Sequence, residues 1–74
     1  MTVPAVVFNS CVYIEDQLEG IVARLNVLDT NVSNPIYGFS GADKALISDS
    51  ARNAEKALND LRAFMANNDI PTVD

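Results

Sequence analysis

Apolar residues recur along the first half of the chain at alternating intervals of four and three positions. The series is Val7, Cys11, Ile14, Leu18, Ile21, Leu25, Leu28 and Val32. This heptad spacing gives an α-helix a single apolar stripe, which has to face another helix. Glu15, Asp16 and Glu19 lie between the apolar positions, where we expect a solvated acidic surface. The pattern therefore predicts a helix over about 5–32 that packs against a partner.

The second half of the chain repeats the same spacing. Its apolar positions are Ile47, Ala51, Ala54, Leu58, Leu61 and Met65. Ser40 precedes this series, with Asp43 three residues later, which is typical of an N-terminal capping box. A second helix is therefore predicted over about 41–67, followed by a short tail over 68–74. The start of the first helix is open, since either Thr2 or the Asn9-Ser10 pair could cap it.

The connector over 33–40 contains Pro35 and is too short to hold the helices apart, so it predicts an antiparallel hairpin. It is unusually apolar for a connector, because the stretch NPIYGFSG, which begins at Asn34, contains three large apolar side chains. We expect Ile36 and Phe39 to fold inward as a plug over the end of the hairpin. Tyr37 is expected to point outward, where it could contact a partner or ligand.

A lone helical hairpin buries too little apolar surface to make a stable domain. The chain also has more apolar residues than one hairpin requires, among them Tyr13, Val27 and Phe64. The predicted fold is thus all-α: an antiparallel two-helix hairpin in one domain, assembling into a four-helix bundle or a larger homo-oligomer.

Composition narrows the classes of function. The 74 residues carry a formal net charge of −5, which disfavours direct binding to nucleic acid or to an anionic membrane. One cysteine and no histidine cannot supply a zinc site of the Cys/His type. The N-terminal stretch lacks a basic region typical of a signal peptide, and no apolar run approaches the length of a membrane span. We therefore expect a cytoplasmic protein without metal or cofactor.

Individual side chains indicate little chemistry. Cys11 lies at an apolar heptad position, and we expect a packed core thiol there. Two helix-spaced ion pairs are predicted on the second helix, one of which joins Asp49 to Arg52 and the other Lys56 to Asp60. The residues predicted to bind a partner or ligand are Tyr13, Tyr37, Phe39, Arg52 and Lys56.

The sequence contains no recognisable nucleophile, metal-ligand set or phosphate-binding loop, so we do not expect an enzyme. The favoured hypothesis is a non-enzymatic interaction protein that acts by contact with itself and with another protein. One alternative is an acidic inhibitor, of the kind that viruses encode, that occupies a basic nucleic-acid-binding surface of a host protein. Another is an oligomer that sequesters a small ligand between its subunits.

Overall fold

The computed structural model describes residues 3–71 and places them in a helical hairpin. Helix α1 runs over Ala5–Val32 and helix α2 over Gly41–Asn67, joined by a 3-10 turn over Pro35–Tyr37. No strand occurs among the described residues. The predicted all-helical hairpin is confirmed. Its principal extents are 53 × 17 × 15 Å, so it is a single layer of two helices lying side by side.

Polar side chains and prolines determine where the helices begin and end. Pro4 precedes α1, and its carbonyl accepts hydrogen bonds from the N–H groups of Val7 and Phe8, both at 3.0 Å. The Oγ of Ser40 accepts the N–H of Asp43 at 3.1 Å, so the predicted N-cap of α2 is confirmed. The prediction that Asn9 and Ser10 could cap α1 is wrong, because the helix begins at Ala5 and contains both residues. Thr2, the other candidate cap, lies outside the described residues, as does the end of the predicted tail.

The C-terminal end of α2 folds back onto the hairpin. Asp69 adopts a left-handed conformation with φ 56°, and the N–H of Ile70 donates to the carbonyl of Met65 at 2.8 Å. Together with the bond from the Asp69 N–H to the Ala66 carbonyl, this is a Schellman motif, which brings the residue after the turn onto the last helical turn. Ile70 is consequently buried, although the sequence indicated only a tail.

A compact apolar cluster lies at the end of the hairpin away from the loop. Cys11, Met65 and Ile70 are its buried members, and Met65 is fully buried. Four partly buried residues surround them: Val3, Val7, Val12 and Leu61. The predicted burial of the Cys11 thiol is confirmed.

The apolar stripe of α1 was predicted wrongly at three of its eight positions. Ile14, Ile21 and Leu28 are 44%, 46% and 43% exposed. Their places against α2 are taken by their neighbours Glu15, Val22 and Asp29, which are buried or partly buried. This second stripe has the same heptad spacing and shares the partly or fully buried Leu18, Leu25 and Val32 with the first.

Two polar positions fit inside the α1–α2 interface because α2 supplies partners for them. The Oγ of Ser48 donates to Oδ1 of Asp29 at 2.7 Å, and Arg62 binds Glu15. Among the described residues, no buried side-chain nitrogen or oxygen lacks a hydrogen-bond partner. Buried polar groups that are fully satisfied fix the pairing of two helices, so these contacts select the stripe that faces α2.

Candidate interaction surfaces

The hairpin presents two broad faces of opposite character. Helical residues two positions apart project about 200° apart, so Ile21 and Glu19 lie on opposite sides of α1. Phe64 and Arg62 are separated in the same way on α2. One face, here called the apolar face, carries the exposed apolar side chains of Ile14, Ile21, Leu28, Phe39, Leu46 and Phe64. The other, called the polar face, consists of Glu19, Asn26, Glu55, Asn59 and Arg62.

The apolar face is continuous across both helices near the loop. A shallow depression there is lined by Leu28, Val32, Phe39, Asp43, Leu46 and Ile47. Asp43 is the one charged residue in this lining. Leu46 is 64% exposed and Phe39 47%. Large apolar side chains gathered on one face of a small protein typically mark a contact surface for another molecule.

The polar face is organised by one arginine. Arg62 donates from Nη2 to Oε2 of Glu15 at 2.8 Å and to Oε2 of Glu19 at 3.0 Å, and from Nε to Glu15 Oε2 at 3.2 Å. Glu15 is completely buried, whereas the Arg62 side chain is 34% exposed. The prediction of a solvated acidic surface is therefore wrong for Glu15, because a cation on α2 allows its carboxylate to enter the helix interface.

This ion-pair cluster joins α1 to α2 and has a structural role. Two carboxylates share one guanidinium, which leaves a net negative charge around Arg62. The sequence separation between Glu15 and Arg62 is 47 positions, so no helix-spaced pattern could reveal the contact. Their pairing is visible only once the two helices are aligned.

The five residues predicted as a binding site do not come together. Tyr13 is 66% exposed and Tyr37 61%, but Tyr13 lies about 28 Å of helical rise from the loop end of α1. On α2, Arg52 pairs with Asp49, and Lys56 Nζ lies 2.6 Å from Asp60 Oδ2. Both predicted ion pairs are confirmed. The proposed binding roles of these residues remain predictions.

The loop does not form the plug that was predicted. Ile36 is 79% exposed, because the side chain of Asn34 accepts the Ile36 N–H at 3.1 Å and holds a 3-10 turn whose side chains point outward. Gly38 closes this turn in the left-handed conformation, with φ 69°. Phe39 alone of the two proposed plug residues reaches the side chains of the hairpin, at the depression near Leu28 and Leu46.

Substitutions in the loop should separate these roles. Phe39→Ala removes a half-buried ring, and we expect it to lower the free energy of unfolding by about 1 to 2 kcal/mol. Ile36→Ala and Tyr37→Ala change exposed side chains and should stay within about 0.5 kcal/mol of the parent. Urea denaturation of the three variants at equal protein concentration measures these differences. A loss for Ile36→Ala as large as that for Phe39→Ala would contradict this description of the loop.

Residues 3–71 contain neither a metal-ligand cluster nor a membrane-spanning helix. No group of three or more His, Cys, Asp and Glu side chains is arranged to hold a metal ion in that part of the chain. Neither of the helices described there has the length and apolar character needed to cross a membrane.

In comparisons with known proteins, no family model, no curated sequence and no solved structure matched this chain.

Proposed function

We propose that this chain is a non-enzymatic interaction protein that acts by protein–protein contact and associates with copies of itself. The observation that carries the proposal is the single-layer hairpin with one apolar broad face. Stable domains bury the apolar side of each layer against a second layer. Residues 3–71 form a hairpin 15 Å thick without a second layer, so another polypeptide is the natural source of one.

The assembly that this proposal favours is a four-helix bundle or a larger homo-oligomer. Antiparallel helical hairpins with short loops are half of such a bundle. Association of identical chains also places the same apolar face on both sides of the interface, which a closed two-fold arrangement requires.

A protein with a basic surface is the second candidate partner. The polar face carries Glu19 and Glu55 beside Arg62, which pairs with the buried Glu15, and the whole chain has a net charge of −5. Negative charge on a face that self-association leaves exposed favours partners of opposite charge. This supports the hypothesis of an acidic inhibitor as an addition to self-association.

A native mass spectrum tests the proposed function against the ligand-sequestering alternative. We expect masses that are multiples of the 8.0 kDa chain, without added mass. A species carrying a small molecule in fixed ratio to the subunits would instead favour ligand sequestration. A spectrum of 8.0 kDa chains alone, from solutions at tens of micromolar, would contradict self-association.

A further inference from the structure

We propose that the apolar face is the surface that a second copy of this chain covers, so that two hairpins stack face to face with their polar faces outward. The inference rests on the proposed self-association and specifies where it occurs. Its occupant is another identical hairpin, with the same length and the same apolar face.

The hairpin exposes more surface than a globular monomer of the same mass, and the excess is the size of one half of a stable interface. A globular monomer of 8.0 kDa has an accessible surface of about 4,450 Å², whereas this chain exposes 5240 Å². The excess of roughly 800 Å² equals the area that each partner contributes to a standard protein–protein interface. Stacking two hairpins along their length would bury an area of this size.

The two overlapping stripes of α1 match a helix in a four-helix bundle. A helix that packs against one neighbour needs apolar residues at two positions in seven, while a helix that packs against two neighbours needs them at about three in seven. Leu18 and Leu25 serve both stripes. Val22 faces α2 and Ile21 lies beside it on the apolar face, where a helix of the second copy would pack.

The distribution of charge favours a second copy over a charged partner. Among the residues that line the depression on the apolar face, only Asp43 is charged. Glu19, Glu55 and Arg62 line a groove on the polar face. Stacking through the apolar face therefore keeps Glu19 and Glu55 of the two acidic chains away from the interface, and a basic partner would be attracted to the other side.

Matched aspartate substitutions on the two faces test this arrangement by sedimentation equilibrium. Ile21→Asp adds a charge to the centre of the apolar face, and Asn26→Asp adds the same charge on the polar face. A carboxylate buried in an apolar interface is costly and occurs on both copies, so Ile21→Asp should raise the dissociation constant on the order of 100-fold or more. Asn26→Asp should change the dissociation constant by no more than about threefold.

A second variant guards against a folding defect. Leu46→Asp replaces a side chain that is 64% exposed, so the substitution should leave the hairpin folded. It should also dissociate the assembly. Circular dichroism checks that the variants remain helical. If the parent and both apolar-face variants stay associated, or if Asn26→Asp dissociates equally, this face is not the interface although self-association stands. A parent that sediments at 8.0 kDa would overturn the proposed self-association itself.

Discussion

Replacing Arg62 with methionine is expected to lower the free energy of unfolding by about 3 kcal/mol. The substitution keeps much of the apolar stem but removes the cation that binds Glu15, whose carboxylate is completely buried. Breaking a buried ion pair by removing one partner costs about 3 to 5 kcal/mol, and the partial exposure of Arg62 favours the lower end of that range. Urea denaturation at a fixed protein concentration measures the loss.

Two controls show whether the buried charge is the cause. Lys56→Met breaks an ion pair whose side chains are both more than two-thirds exposed, so it should cost less than about 1 kcal/mol. Glu15→Leu combined with Arg62→Met removes both charges and should recover most of the stability lost by Arg62→Met alone. A double variant as unstable as Arg62→Met would show that the loss came from packing.

Met65→Ala is expected to have an effect of similar size, about 3 to 4 kcal/mol, in the apolar cluster one helical turn beyond Arg62 on α2. Met65 is fully buried against Cys11 and Ile70, and truncation of a buried Met to Ala costs about 2 to 5 kcal/mol. Met65→Leu conserves volume and should cost less than about 1.5 kcal/mol. Thermal and urea melts of the two variants check this. Equal stability of Met65→Ala and the parent would mean that Ile70 and the last turn of α2 do not form this core.

The hairpin itself could be predicted because its signals are local. Heptad spacing indicated two helices, Pro35 lies where α1 has ended, and Ser40 caps α2 through the Asp43 N–H. Each of these signals acts over one or two helical turns. The short connector then left an antiparallel pair as the simplest arrangement.

The stripe of α1 that faces α2 could not be predicted in the same way. Two heptad stripes overlap on this helix and share Leu18, Leu25 and Val32. Apolar patterning favours the stripe with Ile14, whereas the structure buries Glu15 instead, because Arg62 on the other helix compensates its charge. A sequence read one helix at a time contains no information about that partner.

The loop and the C-terminal turn were missed for a related reason. Ile36 and Phe39 are both apolar, and only the 3-10 turn held by Asn34 decides that Ile36 points into solvent. Ile70 resembles a tail residue until Asp69 takes the left-handed conformation and directs it onto Met65. Both outcomes depend on backbone geometry at a single residue. The residue types alone therefore do not reveal which of these apolar side chains is exposed and which is buried.

Small-angle X-ray scattering of the parent protein tests most directly the central claim that the hairpin is one layer of a two-layer assembly. The account predicts a mass of at least two 8.0 kDa chains in a particle that keeps the length of about 53 Å and is thicker by about 10 Å, the usual spacing of packed helices. A particle of one chain with the dimensions 53 × 17 × 15 Å at all concentrations would contradict it.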